Sequence, residues 1–208
     1  MHKENIITVG KPINEASKAL IMIHGRGASA NDILSLAAYL PVSEYALLAP
    51  QATNFTWYPL SFLAPPVENE PWLSSALGLL KKTIDCIQEY GIDKRNIFFL
   101  GFSQGACLML EFVARNAARY GGAVAFTGGL IGDKIYQDNY TGTFEGMPVF
   151  IGSSNPDMHV PAERVHASSA MLRAMGANVT EKIYDNMGHT IIEDEIKQAT
   201  DLVFNPAH

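Results

Sequence analysis

The sequence holds only two cysteines in 208 residues, Cys86 and Cys107, and no C-x-x-C pair. That excludes a disulfide framework and the usual thiolate metal sites. Both cysteines sit in apolar helical patterns, where a thiol behaves as a small hydrophobe. Charge is also scarce. Charged residues make up 17 %, and 21 acidic residues against 15 basic ones leave a net charge of −6. With an acidic balance and no Lys/Arg run, nucleic acid is excluded as a partner. No apolar run approaches the roughly 20 residues of a membrane-spanning helix. Met1–Asn5 is polar and lacks the apolar core of a signal peptide, so a cytoplasmic protein is expected. There is no linker, internal repeat or low-complexity block, and a single domain over residues 1–208 is expected.

Apolar residues are plentiful, at 48 %, and they come in short runs. Ile6–Val9 alternates weakly and reads as an edge strand. Ala19–Ile23, Tyr45–Ala49, Ile97–Leu100, Ala123–Phe126 and Pro148–Ile151 are continuous apolar runs, and Asn178–Tyr184 reads as the last strand. Between them lie helical patterns. Ser29 and Asp32 have capping-box spacing, followed by Ile33, Leu36, Ala37 and Leu40 on one face. Leu73, Ala76, Leu77, Leu80, Ile84 and Ile87 mark a longer helix that stops at Gly91. Pro161 suits a first helical turn, with Val165, Leu172 and Met175 inside. Ile192, Ile196, Ala199 and Val203 line a closing helix. Strands buried on both faces and alternating with helices predict a mostly parallel sheet with helices on both sides. Ligands bind such a sheet beyond the carboxyl ends of its strands. Four segments converge there: His24-Gly25, Gly101–Ser103, Gly152–Asp157 and the stretch after Asp185.

The most informative stretch is Gly101-Phe102-Ser103-Gln104-Gly105, between an apolar strand and an Ala-rich helical pattern. A Gly-x-Ser-x-Gly turn in that setting is a nucleophile elbow. The turn is sharp, and glycines at 101 and 105 leave room for it. The bland alternative is a serine in an ordinary strand–helix turn. A serine hydroxyl needs a base beside it to attack a carbonyl. The six histidines are His2, His24, His159, His166, His189 and His208. His2 and His208 are expected at frayed ends, and His159 and His166 on a loop and a helix. His189 follows the last strand, where this fold class puts its base; a surface or capping histidine is the other reading. Asp157, past the Val149–Ile151 strand, is the better-placed carboxylate, with Asp185 the local rival. Asp133 and Asp138 fall in a polar loop. The oxyanion needs preorganised donors, for which the Gln104 and Arg26 N–H groups are the candidates. Gly25-x-Gly27-x-x-Ala30 also fits a permissive dinucleotide fingerprint. The next strand, however, ends Leu48-Ala49-Pro50-Gln51, without the acid that would hold a ribose. Trp57, Tyr58 and Phe62, in the irregular stretch 51–71, are candidates for an apolar pocket wall, or for simple packing.

With these residues assembled, the chain resembles the α/β-hydrolase superfamily, and within it the phospholipase/carboxylesterase family that includes the acyl-protein thioesterases. The matching stretches are Ile23-His24-Gly25-Arg26-Gly27, Gly101–Ala106, Asp157-x-x-Val160-Pro161 and Gly188-His189. The resemblance implies an α/β-hydrolase fold and a serine hydrolase cleaving small or short-chain esters. It implies Ser103 as nucleophile, Asp157 as orienter, His189 as base and the Arg26 and Gln104 N–H groups as the oxyanion hole. No cofactor or metal is implied. A thioesterase or lysophospholipase is the alternative activity, and a silent binding protein on the same scaffold a third reading. Those thioesterases usually carry a small apolar residue, often Leu, where Arg26 stands. The Arg26 side chain is expected to pair with a carboxylate or to face a polar substrate. The oligomeric state is open, with a homodimer among the options.

Overall fold

The computed structural model describes residues 1–205, so His208 lies outside the described residues. The strands are β1 (Ile6–Gly10), β2 (Lys18–Ile23), β3 (Tyr45–Pro50), β4 (Ile97–Phe102), β5 (Gly122–Phe126), β6 (Pro148–Asn155) and β7 (Asn178–Asp185). They form one sheet in the order β1-β3-β2-β4-β5-β6-β7. Every neighbouring pair is parallel except β1 with β3. The helices are α1 (Ala30–Leu34), α2 (Trp72–Glu89), α3 (Gln104–Arg115), α4 (Ala162–Ala174) and α5 (Glu193–Ala199).

The two faces of the sheet build two cores. Ile21, Ile23, Phe99 and Ile151 pack under α2, α3 and α4 through Leu80, Leu108 and Leu172. Leu20, Met22, Leu100 and Phe150 pack under α1, α5 and the π-helical turn Thr200–Phe204 that follows it, through Ile33, Ala199 and Val203. Residues of opposite parity on one strand thus serve opposite helix layers, which is why the strands read as unbroken apolar runs. Gln104 through Ala114 of α3 are all buried, as expected for a helix against the centre of the sheet. No described helix is long and apolar enough to cross a membrane.

Several boundaries differ from the sequence expectation. β6 runs on through Ser153, Ser154 and Asn155, which pair with Ile183, Tyr184 and Asp185 of β7. The polar residues looked like loop, but the ladder uses backbone groups and is indifferent to them. Pro161 sits at the N-cap of α4 rather than inside its first turn. Leu77 is half-buried, and Leu79 takes the core position on α2. The Ser29–Asp32 capping box is present at α1.

Candidate active site

β4 delivers Ser103 to the rim of the sheet, and α3 leaves from it at once. The backbone at Ser103 has φ 54° and ψ −121°, a region that favours glycine. The surroundings hold it there. Its N–H donates to Phe126 O of β5 at 2.9 Å, and its carbonyl accepts the Cys107 N–H at 3.0 Å. The two glycines are required by close approach. A Cβ on Gly105 would stand 2.2 Å from Ile23 O, and one on Gly101 2.7 Å from the Ala106 Cα.

β6 and β7 bring the other two groups. His189 Nε2 lies 2.8 Å from Ser103 Oγ. His189 Nδ1 lies 2.8 Å from Asp157 Oδ2. Asp157 accepts only as a carboxylate, so Nδ1 carries the proton and Nε2 is free to accept from the serine hydroxyl. The Asp157 side chain is fully buried and that of His189 is 26 % exposed. Burial works against charge on Asp157. Hydrogen bonds from His189 and from the N–H groups of His159 and Val160 outweigh it and hold the carboxyl below its usual range. The His189 ring packs against Phe102, with centroids 5.3 Å apart, and meets His159 edge-on at 4.8 Å. The Gly188 N–H donates to Ser154 Oγ at 3.0 Å, fixing the loop that carries the imidazole.

Beside the serine, the N–H groups of Arg26 and Gln104 find no acceptor among the described residues. A Cβ on Gly25 would come within 3.5 Å of the Ser103 Cβ, so the turn that holds Arg26 lies directly against the serine. A linked Ser–His–Asp set with two unsatisfied amides alongside can run acyl transfer. The sequence profile of the Phospholipase/Carboxylesterase family matches residues 4–203.

The chain belongs to the phospholipase/carboxylesterase family.

It is accordingly a serine hydrolase of carboxylic esters, with the α/β-hydrolase fold. A phospholipase/carboxylesterase crystal structure from Dyadobacter fermentans is similar to it at 48 % identity and TM-score 0.97, covering 98 % of each chain. Acyl-protein thioesterase 1 of Saccharomyces cerevisiae is 26 % identical over 227 residues, 96 % of this chain and 97 % of that protein. The Bacillus cereus carboxylesterase shares the fold, with TM-score 0.76, 22 % identity and coverage of 94 % and 91 %.

The rest of the site departs from the sequence reading in instructive ways. Ser103 and His189 open into a cleft of about 510 Å³ whose lining also includes Tyr58, Phe62, Leu63, Cys107 and Val160. Trp57 is not part of that wall and takes the packing alternative. It is fully buried beneath the Arg26 turn, where its indole N–H donates to His24 O at 2.8 Å. The Arg26 guanidinium neither pairs with a carboxylate nor stands free. It donates to the carbonyls of Tyr58, Pro59 and Leu60 at 2.9, 2.9 and 2.7 Å. Gln104 holds the same strap from the other side, accepting from Trp57 N and donating to Tyr58 O. Asn69 takes Leu60 N and gives to Ser61 O.

His2 is not at a frayed end either. Its ring packs between Trp57 and Trp72, its Nε2 donates to Trp57 O, and its Nδ1 accepts from Thr53 N. Burial lowers its pKa. His159 is a loop residue as expected, but it lines the cleft. His166, on α4, pairs with Glu181 of β7. Asp185, the rival orienter, is exposed at the end of β7, and Asp133 and Asp138 are exposed on their loop. The dinucleotide reading of Gly25–Ala30 fails. The N-terminus of α1 already holds the Asp32 carboxylate, which accepts from Ser29 N at 2.7 Å where a phosphate would sit. Among the described residues no group of three His, Cys, Asp or Glu side chains could hold a metal ion.

Proposed function

We propose that Ser103 is the nucleophile, His189 the general base and Asp157 the group that orients it, in a carboxylesterase acting on short-chain esters. The unbroken hydrogen-bond chain from Ser103 through His189 to Asp157 carries this reading. His189 Nε2 takes the Ser103 proton as Oγ attacks the ester carbonyl. The developing oxyanion turns to the Arg26 and Gln104 N–H groups, each worth about 10²–10³ in rate at such a site. His189 returns the proton to the leaving alcohol as the C–O bond breaks. A water, deprotonated by the same nitrogen, then attacks the acyl-serine and frees Ser103. The partly exposed imidazole gives water access to that step.

The choice of a short acyl group rests on the strap. Three charge-assisted bonds from Arg26 fix Tyr58–Leu60 as a wall of the cleft. In this reading the fixed wall favours a short acyl group over a long one.

A fluorophosphonate probe is expected to label the protein at Ser103, and p-nitrophenyl acetate and butyrate to be turned over faster than the octanoate or a palmitoyl thioester. A probe that labels nothing would sink the serine-hydrolase assignment of these residues, and preference for the palmitoyl thioester would sink the short-chain part alone. Arg26→Leu removes three of the bonds on the strap and leaves those of Gln104 and Asn69. It is expected to raise octanoate activity relative to acetate by about tenfold, the scale on which a pocket wall discriminates small changes in chain length. An unchanged ratio removes the strap from specificity.

A further inference from the structure

The oxyanion turn poses a problem that its own sequence creates. Glycine suits position 25 because a Cβ there would lie 3.2 Å from the Phe102 ring and 3.5 Å from the Ser103 Cβ, a tight fit. Glycine also frees the backbone on one side of the Gly25–Arg26 peptide, so its orientation has to be held by bonds. In a trans peptide the carbonyl and the N–H point in opposite directions. Whatever holds Gly25 O therefore aims the Arg26 N–H. A flipped peptide would turn its carbonyl toward the oxyanion and its N–H away.

A buried histidine gives the shorter of the two hydrogen bonds to Gly25 O, the other coming from the Ala28 N–H at 3.2 Å. His24 Nδ1 lies 2.7 Å from that oxygen, and His24 is fully buried. Its tautomer is fixed by the neighbours. The Ala52 backbone N–H can only donate, and it reaches His24 Nε2 at 3.1 Å. Gln51 agrees. Its Oε1 accepts the Ala30 N–H, so its amide nitrogen is the donor 3.2 Å from the same Nε2. Nε2 is thus an acceptor and Nδ1 carries the hydrogen given to Gly25 O. Burial lowers the His24 pKa, which suits this neutral form. The preceding peptide is held as well, by the Trp57 indole N–H on His24 O, and the Trp57 ring packs on the imidazole with centroids 4.9 Å apart.

We infer that His24, backed by Trp57, is a positioning residue that locks the Gly25–Arg26 peptide with its N–H facing the substrate oxyanion. The inference rests on the Ser103 hydrolase reading above. His24 touches no substrate, so its loss acts through the aim of the amide. The cost falls on the transition state, in kcat, and not on ground-state binding.

Two substitutions at position 24 separate positioning from packing. The amide nitrogen of Asn can stand where Nδ1 stood, whereas Gln reaches toward the Nε2 position and leaves Gly25 O with the longer Ala28 bond alone. His24→Gln is expected to lower kcat for p-nitrophenyl acetate by about 10- to 100-fold with KM nearly unchanged, within the cost of losing one oxyanion donor. His24→Asn is expected to recover most of that loss. Affinity for a trifluoromethyl ketone, whose serine adduct bears an oxyanion, should fall in step with kcat. Wild-type kcat in His24→Gln, equal losses in both variants, or a loss confined to KM overturns the inference. Should His24→Gln fail to fold, Trp57→Phe keeps the ring and removes the indole N–H; unchanged kcat there overturns it equally. Ser103→Ala, assayed alongside, keeps the outcomes apart, because turnover near the wild-type rate in that variant strikes the hydrolase reading itself.

Discussion

Ser103→Ala is expected to cut turnover of p-nitrophenyl acetate by about 10⁶-fold, the scale seen when a triad serine is removed. The fold should survive. Ser103 is the N-cap of α3 by position, yet its side chain caps nothing. Its hydroxyl is turned to His189, so alanine removes the reacting atom and no structural bond but that one. Ser103→Gly should be equally inactive and more stable. The backbone at φ 54°, ψ −121° suits glycine and strains any residue with a Cβ, at a cost of about 1–3 kcal/mol. Alanine keeps the Cβ and therefore keeps the strain. Steady-state kinetics and thermal unfolding of the three proteins check this. An active Ser103→Ala variant removes the nucleophile, and a glycine variant no more stable than the alanine one removes the strain.

The parts of this molecule that could be read from the sequence share a cause. β2, β3, β4 and β5 are buried on both faces, so their apolar runs are continuous and short. Ser103 was legible because close packing on two sides demands glycine at 101 and 105, and glycine leaves a visible mark. Asp157 and His189 were legible because they follow strands at the same rim. Arg26, His2 and Trp57 were not. Their partners are backbone carbonyls and N–H groups 32 to 55 positions away, and those groups are the same in every residue. The last four residues of β6, Gly152–Asn155, were missed for a related reason. Their ladder to β7 places Asn155 opposite Asp185, which sets Asp157 and His189 on adjoining strand ends. Nothing in Gly152-Ser153-Ser154-Asn155 advertises a strand.

Glu195 was hidden in the same way, and it carries the second large effect. The apolar spacing of the closing segment points to Ile192, Ile196, Ala199 and Val203, yet Ile192 and Ile196 are only half-buried and Glu195 is fully buried. Its Oε2 accepts the Ile192 N–H at 3.1 Å, as a residue three places into a helix can. Its Oε1 has no partner, and it presses on β6 where a Cβ on Gly152 would lie 2.2 Å away. Burial, helped by the charge of Asp194 and opposed by the Ile192 N–H, raises the carboxyl to about 7. The native state therefore binds this proton more tightly than the unfolded chain, whose value is 4.5. The stabilisation is full below pH 4.5, is lost as pH rises towards 7, and stays lost above it. The gap corresponds to about 3 kcal/mol. Glu195→Gln keeps an acceptor for Ile192 N–H and cannot ionise. It is expected to match the wild type near pH 5 and to exceed it by up to about 3 kcal/mol at pH 8. Asp32, Asp157 and Asp194 titrate below their usual range and act at lower pH. The difference between the two proteins across pH 5 to 8 thus isolates Glu195. Urea unfolding at both ends of that range measures it, and parallel profiles would show that the buried carboxyl stays charged throughout.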